Sequence, residues 1–180
     1  MRKALVVTAV TAVGLVGALQ GTAHAGDTTT TFVLTAGGIG ISVPSSATMS
    51  SAAAGAATDT GSLGNVTVTD ARGSLVSTWT ATVSSTNFTN STTGGSTADE
   101  TVAKANVGYA SGVGTAALGQ VGAMTPTGAV TPVALGSAAT GASWTGVGNN
   151  TVTWNPTLTF TLLPSQVAGT YTGTITHSVS

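Results

Sequence analysis

The sequence contains no cysteine, so neither a disulfide bond nor a thiolate metal site holds this fold together. Thiol catalysis is excluded for the same reason. Charged residues make up only 5% of the chain, whereas a typical globular domain has about 25%. Aromatic residues are equally scarce, at 4%. The fold must therefore depend on the burial of small apolar side chains and on backbone hydrogen bonds.

Positive charge is especially scarce. After residue 25 the only lysine or arginine side chains are Arg72 and Lys104. Nucleic acids and acidic membrane surfaces are bound by clusters of such side chains, because several cations are needed to neutralise the phosphates. The composition therefore excludes nucleic acid and an acidic membrane surface as partners.

The first 25 residues have the three parts of an export signal. Arg2 and Lys3 precede an apolar run from Ala4 to Leu19, and Ala23-His24-Ala25 offers the small residues that a signal peptidase requires. The apolar run is short for a membrane span. We expect cleavage before Gly26, no membrane span in the remaining chain, and a secreted protein with one domain at residues 26–180.

Threonine and serine dominate this expected domain, with 34 and 18 residues respectively. Threonine and valine are β-branched and favour strands, and no segment has apolar residues at helical spacing. Turn residues recur at roughly regular intervals. The sequence therefore predicts an all-β fold, a single β-sandwich of the immunoglobulin-like or Greek-key type.

Alternating apolar and polar residues predict the individual strands. We expect strands at 32–34, 39–43, 66–69, 75–83, 107–109, 152–154, 158–162 and 171–179, a loop at 45–61, and short strands within long loops at 110–150. Asp70-Ala71-Arg72-Gly73 has the residues of a turn. It is predicted to join the strands on either side of it as a hairpin.

The few titratable side chains do not form a recognisable catalytic site. His177 is the only imidazole after His24, and its strand pattern places it beside Tyr171 and Ile175. We predict a core or rim histidine whose ring is hydrogen-bonded to the backbone. Asp99 and Glu100 are adjacent in a loop, whereas glycoside hydrolysis needs two carboxyl groups across a cleft. We therefore expect no enzyme, no catalytic residue and no cofactor.

A metal site is the weaker of two interpretations of the acidic residues. Asp70, or Asp99 together with Glu100 and Asn106, offers oxygen ligands of the type that Ca²⁺ takes. No loop has regular acidic spacing, however. We predict instead that these carboxylates are solvated and that Asp70 caps its own turn or pairs with Arg72.

The aromatic residues are the remaining candidates for ligand binding, because exposed rings stack on sugars. Trp79, Trp154 and Tyr171 lie in alternating apolar rows, which favours a role in the core over a role in binding. Trp144 lies among glycine, serine and threonine in a stretch that resembles a loop, so it is the stronger candidate. Rows of threonine on the strands offer a hydroxyl array to a polymer, although we favour the simpler interpretation that they keep the sheet surface soluble.

Two segments resemble WxL domains, which are surface domains of Gram-positive bacteria. The segment 66–73, with Trp79-Thr80-Ala81-Thr82-Val83-Ser84 and Phe88, resembles the first half of such a domain, in which a turn of the Asp-x-Arg-Gly type (here Asp70, Arg72 and Gly73) precedes a Trp-x-Leu strand. The segment 171–179 resembles its final strand, which starts at a tyrosine. The segment 32–44 is also similar to the start of such proteins. Ala81 stands in place of the family's leucine and His177 in place of its second tryptophan, so the resemblance is to a divergent, actinobacterial-type member.

The resemblance implies a β-sandwich that attaches noncovalently to the cell wall through peptidoglycan, often together with other surface proteins. We therefore expect a non-catalytic, cell-wall-associated protein. An alternative expectation is a structural subunit of a surface filament or layer, in which copies associate by pairing their strands and the terminal strand of one copy completes the sheet of its neighbour.

Overall fold

The computed structural model describes residues 29–180, so the predicted signal peptide at 1–25 lies outside the described residues. Residues Leu34–Ser180 form one compact unit, and 29–33 are the described end of a second unit, Met1–Val33. The prediction of a strand at 32–34 was wrong, because no strand is found before Ile39 in the described residues.

Fifteen strands and two short 3₁₀ helices make up the secondary structure of residues 29–180. The strands are β1 Ile39–Ser42, β2 Thr58–Ser62, β3 Val66–Asp70, β4 Ser77–Ser85, β5 Phe88–Asn90, β6 Thr101–Val102, β7 Val107–Ala110, β8 Thr115–Ala116, β9 Val121–Pro126, β10 Val133–Ala134, β11 Ala139–Val147, β12 Asn150–Trp154, β13 Thr157–Thr161, β14 Tyr171–Thr172 and β15 Ile175–Val179. The 3₁₀ helices are Ala98–Glu100 and Lys104–Asn106.

The strands form two facing layers, and every strand pairing in residues 29–180 is antiparallel. The front layer is the sheet β15-β4-β11-β9. The back layer consists of two sheets, β1-β3-β12-β8 and β10-β7-β13-β2. A small fourth sheet has the order β14-β5-β6. The fold is an all-β sandwich, as the sequence predicts.

The back layer consists of two sheets because neighbouring strands are interrupted at the same height in the layer. Proline has no N–H for a ladder, and Asn155-Pro156 interrupts the chain between β12 and β13. On the neighbouring strand, Leu63 lies between β2 and β3, and its N–H donates to the carbonyl oxygen of Pro156 over 2.9 Å. The two breaks therefore lie side by side, and each half of the back layer packs on a different half of the front layer.

Two apolar clusters fill the space between the layers. The first contains the buried residues Val66, Val68, Trp79, Ala81, Ala142, Trp144, Val152 and Trp154. The second contains Val83, Val102, Val107, Tyr109, Leu135, Leu158 and Phe160. The nine-residue strands β4 and β11 contribute to both clusters, because they run the full length of the front layer.

The predicted hairpin around residues 70–73 was wrong. β3 pairs with β1 and β12 in the back layer, whereas β4 pairs with β11 and β15 in the front layer. The turn is therefore a crossing between layers. Alternation identified both strands, although the second begins at Ser77 and not at residue 75, and Leu75 is 82% exposed. Alternation reports which side chains are buried and not which strand lies alongside.

Three further predictions need correction. The loop expected at 45–61 ends earlier, because Thr58–Ser62 forms β2 against β13. The region 110–150 contains the long strand β11 and not only short ones. The single strand expected at 171–179 is divided into β14, which pairs with β5, and β15, which pairs with β4. The division falls at Gly173, where a Cβ would lie 2.6 Å from the Phe88 ring.

Replacing this glycine tests the close packing at the division. We expect Gly173→Ala to lower the free energy of unfolding by about 1–3 kcal/mol, because the Phe88 ring must move to admit a methyl group. Gly40→Ala is the matched control, since apart from Gly40 and its two chain neighbours no residue comes within 4 Å of the position that its Cβ would take. Urea unfolding of both variants gives the measurement, and equal midpoints would contradict the prediction.

Candidate functional site

All three tryptophans lie in the core. Trp79, Trp144 and Trp154 are 2%, 2% and 1% exposed. Trp79 of the front layer stacks on Trp154 of the back layer, with ring centroids 6.0 Å apart and an interplanar angle of 21°. The preference for a core role was therefore correct for these two residues. In this structure no tryptophan offers a ring face to a sugar.

The prediction that Trp144 lies in a loop was wrong, because it occupies the middle of β11. Its ring packs on the backbone of two glycines. A Cβ at Gly122 would overlap the indole, and a Cβ at Gly146 would lie 2.6 Å from the indole nitrogen. The surrounding glycines resemble a loop in the sequence, but their role is to make room for the ring in a strand.

Tyr171 lies at the border of the second cluster and is only partly buried. Its hydroxyl donates to the carbonyl oxygen of Val167 over 2.6 Å. The side-chain amide of Gln166 lies 3.2 Å from the same hydroxyl. The tyrosine therefore stabilises the conformation of residues 166–167, which precede β14.

A buried polar network joins the two layers at the turn that the sequence singled out. Asp70, at the end of β3, is 1% exposed, and both of its carboxylate oxygens are used. Oδ1 accepts from the backbone N–H and Nε of Arg72, over 3.0 and 2.9 Å, and Oδ2 accepts from its Nη2 over 2.8 Å. Oδ2 also accepts from the hydroxyl of Ser77 on β4, over 2.9 Å. The prediction that Asp70 caps its turn or pairs with Arg72 was correct, since it does both.

The network continues into the core through Asn150 of β12. Its side-chain N–H donates to the Ser77 hydroxyl over 2.6 Å, and its Oδ1 accepts from Trp79 Nε1 over 2.9 Å. Sequence reasoning missed Ser77 and Asn150 as polar core residues. Their positions in the alternating pattern could have identified them. Ser77 is the first inward-facing residue of β4, before Trp79, and Asn150 is the first of β12, before Val152 and Trp154.

The ionisation of Asp70 follows from these contacts. The hydrogen bonds from the Arg72 side chain hold the pKa of the Asp70 carboxyl well below its usual range, and the bonds from the Arg72 backbone and Ser77 act in the same direction. Gly73 completes the turn with φ +63°, and its N–H donates to Asn149 over 2.7 Å. The turn is therefore a structural site, because its charged groups satisfy one another.

His177 takes part in a second network within the sandwich. Its Nε2 lies 3.2 Å from the hydroxyl of Tyr109, which also accepts from Trp154 Nε1 over 3.0 Å. The predicted rim position is correct, but the ring bonds to a tyrosine and not to the backbone. Burial lowers the pKa of His177 to about 4 and raises the pKa of Tyr109 to about 12. At neutral pH His177 is therefore uncharged, and the ring tautomer decides whether its Nε2 donates to or accepts from the Tyr109 hydroxyl.

The remaining motif residue, Ala81, is fully buried in β4 within the first cluster.

The carboxyl groups of Asp99 and Glu100 accept hydrogen bonds from different partners. Asp99 accepts from the Ser165 hydroxyl over 2.6 Å, whereas Glu100 accepts from the Thr97 hydroxyl over 2.9 Å. Hydrogen bonds to Thr93 and Thr97 lower the pKa of Glu100. These hydrogen bonds stabilise the loop between β5 and β6.

Among residues 29–180, no three histidine or acidic side chains come together in a way that could hold a metal ion. The same part of the chain contains no helix that is long and apolar enough to cross a membrane.

Two surface features remain as candidate sites. The first is the outer side of the front layer, here called the hydroxyl face. It carries Thr78, Thr80, Thr82, Ser84, Thr125, Ser143, Thr145, Thr176 and Ser178. Adjacent strands bring these side chains together in rows, as when the hydroxyls of Thr82 and Ser178 lie 2.7 Å apart. None of the front-layer strands contains an Asp, Glu, Lys or Arg residue.

The second feature is a partly open cavity of about 730 Å³, here called the strap cavity. Residues 43–56, which contain no strand, form one wall. The opposite wall is apolar and includes Phe88, Leu158, Phe160, Leu162 and Ile175. Between Pro44 and Gly55 the wall segment has only one large side chain, Met49, so it leaves the volume unfilled.

Comparison with known proteins adds no relative. No family model, no curated protein and no solved structure matches this chain. The function must therefore be inferred from the residues themselves.

Removing the charge of Asp70 tests the network at the turn. We expect Asp70→Asn to lower the free energy of unfolding by about 2–4 kcal/mol, because a buried amide cannot accept all four hydrogen bonds. The control Asp99→Asn changes an exposed carboxyl and should cost less than about 1 kcal/mol. Similar midpoints for the two variants in urea would contradict this assignment.

The buried imidazole predicts a pH dependence of stability. Between the usual pKa of about 6.5 and the folded value of about 4, the unfolded chain binds more protons at His177 than the folded chain. The free energy of unfolding should therefore fall as the pH falls through this window. We expect His177→Gln to flatten the slope, measured by urea unfolding at several pH values from 7 to 4. An unchanged slope would contradict the prediction.

Proposed function

We propose that this is an exported, non-catalytic protein of the Gram-positive cell surface that attaches noncovalently to peptidoglycan through the hydroxyl face. It is secreted, remains associated with the cell wall, and contacts other surface proteins there. The observation that carries the proposal is the hydroxyl face itself, a four-stranded sheet surface with rows of hydroxyl groups and no charged residue.

The geometry of the hydroxyl face suits a polymer better than a small molecule. Neighbouring strands lie about 4.8 Å apart, and outward side chains on one strand recur about every 6.8 Å. Hydroxyl groups both donate and accept hydrogen bonds, so they can pair with the hydroxyl and amide groups of a glycan chain. This pairing does not require charged groups on either side. Each net hydrogen bond contributes only about 0.5–1.5 kcal/mol, but a repeating polymer engages many at once.

The titratable residues support a non-catalytic role. The Asp70 carboxylate is fully occupied by Arg72 and Ser77, and the His177 ring bonds to Tyr109 inside the sandwich. No described arrangement places a histidine beside a nucleophile and an acid, which acyl transfer requires. The resemblance to WxL domains agrees with the proposal and implies the same wall ligand.

Removing hydroxyl groups from one face tests wall binding directly. We expect the triple variant Thr78→Val, Thr80→Val and Thr145→Val to lose at least about tenfold in affinity for purified sacculi, because valine keeps the shape but cannot hydrogen-bond. Cosedimentation of the protein with sacculi gives the measurement.

The back layer provides a matched control. Thr69→Val, Thr151→Val and Thr157→Val make the same chemical change on the opposite surface of the sandwich, and this variant should bind as the unchanged protein does. Wall binding that is absent from the unchanged protein would refute attachment to peptidoglycan. Binding that is lost equally in both variants would refute the choice of face.

A further inference from the structure

A single apolar side chain holds the middle of residues 43–56, here called the strap, against the sandwich. Between Ser45 and Gly55 every residue is exposed except Met49. Met49 packs against the second cluster, and a Cβ at Gly61 of β2 would lie 2.5 Å from its Sδ. The rest of this stretch is alanine, serine, threonine and glycine, which have little apolar surface to bury. The position of the strap therefore depends on Met49.

The strap also covers the free edge of β2, the outermost strand of its sheet. The N–H of Leu162 donates to the carbonyl oxygen of Ala57, so the odd-numbered residues of β2 bond to β13 and the even-numbered ones direct their backbone groups to the free edge. There the Ser50 hydroxyl lies 2.7 Å from the carbonyl oxygen of Thr60 and 2.7 Å from the carboxylate of Asp59. The strap thus occupies an edge at which another strand would otherwise pair.

Apolar side chains of the second cluster lie beneath the strap. Leu158 and Phe160 line the strap cavity, yet they are only 1% and 6% exposed. Phe88, Leu162 and Ile175 line the same wall. Displacement of the strap would therefore expose part of the core together with the edge of β2.

The thioether of Met49 is accessible to a small oxidant, because it lines a cavity that is partly open to solvent. When hydrogen peroxide reacts with a thioether, the sulfur lone pair attacks one peroxide oxygen, the O–O bond breaks, an S–O bond forms and water leaves. The sulfur is oxidised by two electrons and the peroxide is reduced by two. The product is a polar sulfoxide in place of an apolar sulfur.

A sulfoxide does not fit where the thioether of Met49 packs. On the side of Gly61 there is no space for another atom, as the 2.5 Å approach of a Cβ shows. The new oxygen also needs a hydrogen-bond donor, and the second cluster consists almost entirely of apolar side chains. Oxidation therefore converts the one apolar anchor of the strap into a group that water solvates better than the core does.

We propose that Met49 is an oxidation site and that its conversion to the sulfoxide by a peroxide releases the strap. The released form exposes the apolar wall of the strap cavity and the edge of β2, so oxidation changes which surfaces of the protein are open to contact. The site lies on the back layer, and this inference is independent of wall attachment through the hydroxyl face.

Limited proteolysis of the full chain with elastase, which cleaves after small residues, tests the proposal. We expect hydrogen peroxide to convert Met49 to the sulfoxide and to raise the rate of cleavage after Ala52, Ala53 or Ala54 at least about tenfold, because the burial of one methionine side chain is lost. Mass spectrometry identifies both the oxidised residue and the cleavage sites. Strap cleavage that is equally fast before and after oxidation of Met49 would overturn the proposal.

Matched variants separate the anchor from general oxidative damage. Met49→Leu keeps an apolar side chain of similar volume and should abolish the response to peroxide, whereas Met49→Gln should give rapid strap cleavage without any oxidant. Met124→Leu is the control and should respond as the unchanged protein does. Met124 is also closely packed, since a Cβ at Gly114 would overlap its sulfur, but it lies in β9, which is held by pairing with β11.

Binding of the dye ANS, which fluoresces on exposed apolar surface, gives a second measurement on the same proteins. We expect its fluorescence to rise on oxidation of the unchanged protein and of Met124→Leu, and to stay constant for Met49→Leu. An equal rise for Met49→Leu, or a response that disappears in Met124→Leu, would overturn the assignment to Met49, whatever the outcome of sacculus binding.

Discussion

The hydrogen-bonded carboxylate of Asp70 is the interaction on which the arrangement of the layers depends. It receives Arg72 from the crossing and Ser77 from the front layer, and Asn150 extends the network to Trp79. Breaking a buried polar network leaves unpaired groups in a medium of low dielectric constant, which is costly. The network therefore fixes the position at which the chain passes between layers, in a protein without disulfides to do so.

The many small side chains explain how the core around Trp144 is filled and why a cavity remains at the other end of the sandwich. Trp144 packs directly on glycine backbone, so a single large ring occupies space that several aliphatic residues fill in richer cores. At the other end the segment 43–56 consists mainly of alanine, serine and threonine, and a cavity of about 730 Å³ remains between it and the apolar wall opposite. The same composition thus produces a closed core in one half and an open cavity in the other.

The sequence was sufficient to predict the fold class and most of the buried strand residues, because the alternation of apolar and polar residues can be seen within a single strand. Val66 and Val68, or Leu158 and Phe160, are recognised from their own neighbours. Strand pairing and sheet membership depend on distant residues, so the crossing at residues 70–73 was mistaken for a hairpin. The turn residues were found, but the burial of Trp144 and the network residue Asn150 were not. Asn150 bonds to Ser77 and Trp79, and Trp144 packs in part on Gly122, so both depend on partners outside their own stretch of sequence.

The nearly uncharged exterior has a consequence for the behaviour of this protein in solution. Without long-range Coulomb forces, encounters are neither steered nor repelled, so association rates should change little with ionic strength. Colloidal stability then comes from hydration of the threonine and serine surface alone. We therefore expect its contacts to respond little to salt concentration and its neighbours to be selected by the shape of the contacting surfaces.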